Sequence, residues 1–380
     1  MLVFVIFTSI LMLLYAALML LYRYWFIKLQ PFTIDAAIVP ATSFTVIIPA
    51  RNEAENIGKC LQSILQQNYP TDLFEIIVID DFSTDGTPDI IQKLQTNHTN
   101  LILIKLADVL IEKHLNSYKK KAIEIAMQSS QKNWIVTTDA DCSAKPNWLA
   151  TYNNYILQND VVFVGAPVVF TSDGSLLQSF QCIDFMALQG VTAATVSAGF
   201  HAMCNGANLA FKKTVFYDVD GYKNVDTIAS GDDMFLMNKI QNKYPTKIGF
   251  LYHQDAIIIT APMPTINSFL NQRIRWASKT NNYSDIRIIV ILWMMLLMNI
   301  ALVFMPFVGI FMPILWVYWL VLLAIKTVVE IAFAVKIAMF FSIKLKWWHV
   351  LLQLPHIVYT SLAGCFVLVG SYQWKGRKVK

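Results

Sequence analysis

Two long stretches without a charged residue constrain this chain more than any other feature of its sequence. Residues 1–22, MLVFVIFTSILMLLYAALMLLY, carry no charge, and residues 288–325 carry none either. A helix needs about 20 predominantly apolar residues to cross the hydrocarbon core of a bilayer. Pro306, Gly309 and Pro313 interrupt the second stretch, which predicts two helices joined by the short turn MPFVGIFMP. The sequence therefore predicts an integral membrane protein with transmembrane helices at both ends.

The residues that flank the first stretch predict how the chain is oriented. This stretch has neither a basic start nor a small-residue cleavage site, so residues 1–28 are interpreted as an uncleaved anchor. Arg23 and Lys28 follow its apolar part directly, which places the next segment in the cytoplasm by the positive-inside rule. We therefore expect a cytoplasmic domain at residues 29–285, attached to a plasma membrane or an inner membrane of the bacterial type.

The C-terminal region, residues 286–380, leaves the number of membrane crossings open. Residues 326–350 are apolar but carry several charges, which favours an interfacial amphipathic helix over a span with an internal Glu–Lys pair. Residues 350–370 form a last apolar segment before the basic tail WKGRKVK. A basic tail favours the cytoplasm, so the crossings after the domain are even in number, either two or four.

Composition excludes several classes of protein. Of the 380 residues, 56% are hydrophobic and 14% are charged, whereas about a quarter are charged in a soluble domain. The net charge of +5 is too small for a nucleic-acid-binding protein, so we expect no nucleic acid partner. The five cysteines include no Cys-x-x-Cys pair, which argues against a disulfide framework or a zinc site and for a reducing compartment.

The segment between the membrane regions alternates between short β-rich runs and amphipathic stretches. The predicted strands are 43–50, 74–81, 100–106 and 133–142, and the predicted helices are 53–67, 88–95 and 119–130. Such alternation predicts an α/β domain with a parallel sheet that is covered by helices on both faces. Sheets of this kind bind ligands beyond the carboxyl ends of their strands.

Polar side chains collect where three of these strands end. They are Arg51, Asn52 and Glu53 after the first strand, Asp80 and Asp81 after the second, and Asp139 and Asp141 after the fourth. Two carboxylates separated by one residue on a turn can share a hard divalent cation. Such a cation neutralises the negative charge that a diphosphate gains when it departs as the leaving group. The alternative is ordinary turn and helix-capping chemistry, and this is the interpretation adopted for Asp85.

Six short motifs in this order resemble a known family. They are VIIPARNEAENIGKCLQSILQQNYP, EIIVIDDFSTDGT, TTDADC, CNGANLAF, SGDDMFL and QRIRW, and together they extend over about residues 44 to 276. The chain is similar to membrane-bound glycosyltransferases of family 2, which have the GT-A fold, a Rossmann-like mixed sheet. The resemblance implies a nucleotide-sugar donor, most often a uridine diphosphate (UDP) sugar, and Mg²⁺ or Mn²⁺ as cofactor.

The resemblance also implies roles for the acidic residues at the donor site. The residues expected to face the uridine are Asn52, Glu53, Asp80 and Asp81. Asp139 is expected near the ribose or the metal, and Asp141 is the expected metal ligand. An inverting transfer needs a carboxylate to take the proton of the acceptor hydroxyl, and Asp233 in SGDDMFL is the matching position. The family more often has Glu-Asp here, so Asp232 is a conservative departure that we place at the acceptor site. The alternative is that both acids complement a helix dipole.

Two further motifs are expected to contribute to substrate binding. The loop HAMCNGANLAF, residues 201–211, resembles the lining of the acceptor pocket, with Asn205 at the site and Gly206 permitting close backbone approach. The Gln-x-x-Arg-Trp signature is matched by Gln272, Arg275 and Trp276. Arg275 can grip a pyrophosphate bidentately, and Trp276, like Gln272, is assigned to the acceptor.

Other charged residues near these motifs receive no role in the chemistry. Lys119 and Lys120 are interpreted as part of a solvated lysine run, and Arg273 and Lys279 as charges at the membrane boundary.

The hypothesis that follows is an inverting, metal-dependent transfer of sugar from a nucleotide donor to a lipid acceptor at the membrane. A processive polysaccharide synthase, with a growing glycan as acceptor, is the first alternative. A non-catalytic membrane subunit that keeps the fold is the second. A dinucleotide-dependent oxidoreductase would need a Gly-x-Gly-x-x-Gly turn, which IPARNEAENIG lacks. The sugar and the oligomeric state stay open.

Overall fold

A computed structural model describes residues 1–110, 117–201, 203–228, 230–279, 283, 285–367, 372–374 and 377–379. The chain forms two compact units. The helical unit contains Met1–Leu29, Ser172–His201 and Pro262–Tyr372, and the α/β unit contains Gln30–Thr171, Ala202–Ala261 and Gln373–Lys380. This division differs from the predicted domain of residues 29–285, because residues 172–201 and 262–279 belong to the helical unit.

The α/β unit contains nine short strands and seven helices among its described residues between Gln30 and Ala261. The strands are β1 Phe44–Ala50, β2 Phe74–Asp80, β3 Leu101–Lys105, β4 Trp134–Thr137, β5 Phe163–Gly165, β6 Val168–Phe170, β7 Leu209–Lys212, β8 Ile248–Phe250 and β9 Ile258–Thr260. The helices are α2 Ile57–Leu65, α3 Thr87–Gln95, α4 Leu106–Val109, α5 Tyr118–Ser129, α6 Trp148–Gln158, α8 Lys213–Asp218 and α9 Asp232–Lys243.

The helical unit is built from six helices in its described residues. They are α1 Leu2–Lys28, α7 Leu176–Ser197, α10 Ile266–Ser278, α11 Ile286–Gly309, α12 Ile314–Phe341 and α13 Gln353–Val367. Two short strands, β10 Tyr372–Trp374 and β11 Arg377–Val379, lie near the end of the chain.

The central sheet has seven strands in the order β3-β2-β1-β4-β7-β5-β8. β1 pairs in parallel with β2 on one side and with β4 on the other, whereas β7 runs antiparallel to both β4 and β5. The four predicted strands, β1 to β4, are therefore parallel as their alternation with helices indicates, and the antiparallel β7 makes the whole sheet mixed, as the resemblance implies. The direction of chain progression reverses at β1, and the carboxyl ends of β1 and β4 flank this switch point, where open α/β sheets bind ligands.

The first predicted helix begins later than its hydrophobic stripe indicates. α2 starts at Ile57 rather than at residue 53, because Asn52 adopts φ +50° and Glu53 begins a turn. The carbonyl of Glu53 accepts the N–H groups of both Asn56 and Ile57. From Ile57 onward the stripe with Leu61 is buried against the sheet core as predicted.

Two helices among the described residues are long and apolar enough to cross a membrane, α1 and α11. The predicted turn after α11 is shorter than expected, because the helix continues through Pro306 and ends at Gly309. Proline has no N–H for the carbonyl four residues earlier. That carbonyl, of Leu302, instead accepts the indole N–H of Trp319 at 2.9 Å.

The helix after this turn corrects a second prediction. α12 runs unbroken from Ile314 to Phe341, so residues 326–350 do not form a separate interfacial helix. Lys326 is buried in α12 and pairs with Glu330 one turn later. Tyr15 of α1 donates its hydroxyl to the same carboxylate. Lys326 and Glu330, two of the charges that indicated an amphipathic surface, therefore satisfy each other inside the helical unit, whereas Lys336, Lys344 and Lys346 are exposed.

Candidate active site

The loops after β1 and β2 are locked together by side chains that follow β1. The guanidinium of Arg51 donates to the carbonyl oxygens of Asp81, at 2.7 Å, and Phe82, at 3.1 Å. Asn52 accepts the backbone N–H of Thr84 on its side-chain oxygen at 2.8 Å. Asn52 and Phe82 both have positive φ, a conformation that non-glycine residues rarely adopt. The predicted donor residue Asn52 thus braces the loop with its side-chain oxygen.

The two aspartates at the end of β2 are almost completely buried, each with 3% of its surface exposed. Asp80 accepts the N–H of Ser83 on Oδ2 at 3.3 Å. Its Oδ1 atom is buried and has no hydrogen-bond partner among the described residues. A buried carboxylate oxygen without a partner is costly, and such atoms commonly belong to ligand sites. This orphaned acceptor lies where the sequence predicts the nucleoside.

A lysine that sequence reasoning set aside holds two of the predicted motifs together. The ammonium of Lys119 lies 2.9 Å from Oδ1 of Asp139 and 3.3 Å from Oδ2 of Asp232. Its side chain is only 22% exposed, so the interpretation of Lys119 as part of a solvated run is wrong. Burial lowers the pKa of Lys119, but the charges of Asp139 and Asp232 outweigh burial, so the pKa lies above its ordinary value. The group is a fixed positive charge within an acidic cluster.

Lys120, the neighbour of Lys119 on α5, supports the loop that leads into α9. Lys120 is 2% exposed, and its ammonium donates to the carbonyl oxygens of Val225 at 2.7 Å, Ile228 at 2.6 Å and Ser230 at 3.2 Å. The interpretation of Lys120 as solvated is also wrong. A sequence signal existed, because Lys120 is three residues before the buried Ile123 and shares its helical stripe.

The predicted catalytic base is tied to the predicted acceptor loop. Asp233 accepts the backbone N–H of Gly206 on Oδ2 at 3.0 Å and that of Met234 on Oδ1 at 2.8 Å. A Cβ atom at position 206 would lie 3.4 Å from both Asp232 Oδ2 and Lys119 Nζ, at the edge of ordinary van der Waals contact. The close backbone approach expected at Gly206 stays a prediction.

The remaining predicted site residues of the α/β unit differ in their hydrogen bonds and in their exposure. Asn205 accepts the N–H of Ala207 on its side-chain oxygen at 3.0 Å and so shapes the loop before β7. Glu53 accepts the side-chain amide of Asn56 at 3.0 Å. Asp141 is exposed beyond the end of β4.

The donor set at the end of β4 can be tested against a divalent cation. The described residues contain no group of three or more His, Cys, Asp or Glu side chains that could hold a metal by themselves. Mg²⁺ commonly keeps several waters and uses only one or two carboxylates together with substrate phosphates. An exposed Asp141, next to an Asp139 that is bound to Lys119, fits this second kind of site, in which the diphosphate supplies the other ligands.

The Gln-x-x-Arg-Trp signature lies on α10, in the helical unit. Gln272, Arg275 and Trp276 are all half-buried there. Arg275 makes no ion pair with the part of the chain that the structure describes. Arg273 differs from the prediction, because it is buried and pairs with Asp184 of α7 at 2.7 Å, so its interpretation as a membrane-boundary charge is wrong.

Comparisons with known families place these motifs in a wider context. Residues 45–218 match the sequence model described as glycosyl transferase family 2. Residues 134–362 match the model described as glycosyl transferase family group 2, which thus extends over both the acidic site and α10.

The sequence match to individual relatives covers only part of the length of each relative. Glycosyltransferase AglE of Haloferax volcanii is 31% identical over 191 residues, which are 50% of this chain and 58% of that protein. Poly-beta-1,6-N-acetyl-D-glucosamine synthase of Staphylococcus epidermidis is 26% identical over 262 residues, which are 67% of this chain and 59% of that protein. The chain therefore spans somewhat less than three fifths of these curated relatives.

One solved structure matches almost the whole chain. Mannosyltransferase PcManGT from Pyrobaculum calidifontis, in complex with GDP-Man and Mn²⁺, superposes with a TM-score of 0.57 over 97% of this chain and 98% of that one. Its sequence is 18% identical, so the likeness concerns the fold. The predicted α/β GT-A fold with apolar helices on both sides of it in sequence is confirmed.

Proposed function

The chain belongs to glycosyl transferase family group 2, whose model matches more than half of it, and on this premise we propose that it transfers a sugar from a nucleotide-sugar donor to an acceptor in the membrane. One observation carries the proposal. The ammonium of Lys119 joins Asp139, from the Asp-x-Asp motif, to Asp232, from the motif that contains the proposed base. Residues more than 90 positions apart thus meet at the carboxyl end of the sheet, as a single active site requires.

We assign the donor to the loops after β1, β2 and β4. The orphaned Oδ1 of Asp80 would accept a hydrogen bond from the nucleoside, beside Asp81 and the braced loop of Asn52 and Glu53. Uridine diphosphate is the nucleotide that the motifs favour. The half-buried guanidinium of Arg275 is proposed to bind the diphosphate, and this role rests on the sequence signature.

Asp141, with Asp139 beside it, would hold the divalent cation together with the diphosphate. A Mg²⁺ or Mn²⁺ ion bound there would stabilise the negative charge of the leaving nucleotide. PcManGT was solved with Mn²⁺, which supports a divalent ion in this fold. Lys119 adds a fixed positive charge beside Asp139 and holds that carboxylate in one orientation.

Asp233 is the proposed general base of an inverting transfer. Its Oδ2 is held by the N–H of Gly206, which fixes the carboxylate at the loop assigned to the acceptor. A carboxylate so placed takes the proton of the acceptor hydroxyl as the oxygen attacks the anomeric carbon. The acceptor is proposed to bind Asn205, Asp232, Gln272 and Trp276.

A lipid is the proposed acceptor because α1 and α11 are apolar and long enough to place the chain in a bilayer. Processive polysaccharide synthesis is the second candidate, since a poly-N-acetylglucosamine synthase is 26% identical over 67% of this chain. The two differ in product size, because a single transfer adds one sugar to one lipid.

The test uses the full chain purified in detergent and returned to vesicles of the expression host's total lipid. Labelled UDP- and GDP-sugars are supplied singly with Mn²⁺, and products are identified by mass spectrometry. We expect one donor class to yield a lipid that carries a single sugar. A long polymer would favour the polysaccharide synthase. If the wild type transfers no more sugar than Asp233→Asn with every donor, the result would favour a non-catalytic subunit.

A further inference from the structure

The second residue of the Gln-x-x-Arg-Trp motif, Arg273, is buried, whereas Gln272, Arg275 and Trp276 are half-buried. Arg273 has 4% of its side chain exposed, and so does Asp184, its ion-pair partner on α7. Nε and Nη2 of Arg273 both donate to Oδ2 of Asp184, at 3.1 and 2.7 Å. Tyr359 of α13 donates its hydroxyl to the other carboxylate oxygen. Asp184 therefore holds the guanidinium of Arg273 in place, and it also joins α7 to α13.

The same guanidinium also contacts two members of the motif, Gln272 and Trp276. Nη1 of Arg273 donates to the side-chain oxygen of Gln272 at 2.9 Å. Its Cζ atom lies 4.3 Å from the ring centroid of Trp276 and 4.7 Å from that of Phe269, so the planar group stacks between two aromatic rings. Phe185 of α7 contacts Trp276 as well, with ring centroids 5.7 Å apart. One buried cation thus touches Gln272 and Trp276, two of the four side chains that we assign to the acceptor.

We propose that Arg273 is a positioning residue, held by Asp184, which sets the orientation of the Gln272 amide and of the Trp276 ring for acceptor binding. Arginine has only donor groups, so the Gln272 atom that faces it must be the oxygen, and the amide NH₂ must point elsewhere. Stacking of the guanidinium on Trp276 holds the indole plane in one orientation. The inference rests on the proposed function, because Gln272 and Trp276 act on the acceptor only if the chain is a glycosyltransferase.

Lysine at position 273 tests the geometry separately from the charge. Arg273→Lys keeps a cation near Asp184 but loses the planar fork that reaches Asp184, Gln272 and Trp276 together. We expect the KM for acceptor lipid to rise about 10-fold or more and kcat/KM to fall about 10- to 100-fold. The affinity for the nucleoside diphosphate in Mn²⁺ and the hydrolysis of donor by water should stay within about twofold.

Two further variants show that the effect comes from one contact chain. Asp184→Asn should reproduce the loss, and the double variant should be no worse than the more damaged single variant, because both changes break the same link. Arg287→Lys is the matched control, since Arg287 pairs with Asp285 at 2.7 Å in the same unit but its side chain is 44% exposed. This control should transfer sugar at the wild-type rate.

The measurements are titration calorimetry with UDP or GDP in Mn²⁺, and transfer of labelled sugar into total-lipid vesicles, both normalised to the folded fraction. If donor affinity and transfer fall in parallel, Arg273 has only a structural role and the inference is overturned. Variants that transfer like the wild type overturn it as well. A wild-type chain that transfers no sugar overturns the proposed function and the inference with it, whereas the first two results leave the proposed function intact.

Discussion

The ammonium of Lys119 lies 2.9 Å from Oδ1 of Asp139. This ion pair connects the first turn of α5 to the loop after β4, and the same nitrogen reaches Asp232 at the start of α9 at 3.3 Å. The side chain of Lys119 therefore holds together the three segments that bring two acids and one cation to the end of the sheet. Because opposite charges face one another with little solvent between them, removal of the cation leaves two partly desolvated carboxylates in mutual repulsion.

Lys119→Met should reduce sugar transfer about 10- to 100-fold, because Asp139 loses the partner that orients it beside the metal ligand. Steady-state transfer from labelled donor measures this, with metal affinity followed by Mn²⁺ titration. Lys121→Met is the matched control on the same helix, since the side chain of Lys121 is 40% exposed and pairs with Glu124 within the helix at 3.5 Å. Equal activity in the two variants would show that the Lys119–Asp139 pair has no part in the reaction.

Asp141→Ala should abolish metal-dependent binding of the nucleoside diphosphate, because the proposed site has few protein ligands to replace the lost carboxylate. Calorimetry with UDP or GDP, in Mn²⁺ and in chelator, gives the comparison. Asp160→Ala is the control, since Asp160 is a surface carboxylate with 82% of its side chain exposed, paired with Lys247. Nucleotide binding by Asp141→Ala that still responds to Mn²⁺ like the wild type would refute the assignment.

Asp233→Asn should retain donor binding while transfer falls about 100- to 10,000-fold, the range in which a general base contributes. An amide presents one acceptor oxygen to two N–H groups, those of Gly206 and Met234, so we also expect a stability loss of about 1 kcal/mol. Single-turnover transfer at saturating donor measures the chemical step. Asp226→Asn, on the exposed loop before α9, is the control. Turnover near the wild-type rate in Asp233→Asn would assign the proton to another group.

Asn208→Leu should destabilise the α/β unit by about 3 kcal/mol or more, because Asn208 satisfies four buried groups at once. It donates to the carbonyl oxygens of Pro167 and Ala256, both at 2.7 Å. Its oxygen accepts the indole N–H of Trp148 at 3.0 Å and the hydroxyl of Tyr152 at 2.9 Å. Leucine of similar size removes all four hydrogen bonds, and only the Pro167 carbonyl keeps another described partner, the N–H of Ile258 at 3.1 Å.

Thermal denaturation followed by circular dichroism measures the effect of Asn208→Leu. Asn159→Leu serves as the reference, since Asn159 is exposed and donates to one carbonyl, that of Tyr155, at 2.8 Å. A melting temperature of Asn208→Leu equal to that of the reference would mean that the buried amide contributes little to stability.

His201 should make the helical unit less stable in weak acid. Burial lowers its pKa from 6.5 to about 4, with Asp285 opposing this shift and Arg287 adding to it. The neutral ring lies against Tyr22, with 3.4 Å between Nε2 and the hydroxyl oxygen. Because the unfolded chain binds this proton more readily, the stabilisation is complete above about pH 6.5 and is lost as the pH falls toward 4.

At pH 5 the protonation of His201 in the unfolded chain should lower the free energy of unfolding by about 2 kcal/mol. Denaturation of the wild type and of His201→Phe between pH 4 and pH 8 separates this contribution, because phenylalanine keeps a ring but does not titrate. The expected result is a flatter pH dependence in the variant. Parallel curves for the two proteins would assign the acid sensitivity to other groups.

Much of the architecture could be read from local patterns. β1 and β2 are short runs of buried apolar residues, and α1 and α11 are long apolar helices, so their positions follow from hydropathy along the chain. The acids after β2 and β4 could be placed at the edge of the sheet because parallel strands end at the same side. Pro306 shows the limit of this reasoning, since a helix continues through proline when Trp319 satisfies the carbonyl that proline leaves open.

The sequence alone determined the fold class and the family, because strand–helix periodicity and the order of short motifs can be read along the chain. Only the tertiary structure decided what each charge pairs with. Lys120 is buried because a loop about 105 to 110 residues later offers it three carbonyls, and Arg273 is buried because Asp184 lies 89 residues earlier. A charged side chain near a predicted helix start or membrane boundary is assumed to be solvated unless a distant segment supplies its partner. Those partners depend on strand order and helix packing, which no local pattern contains.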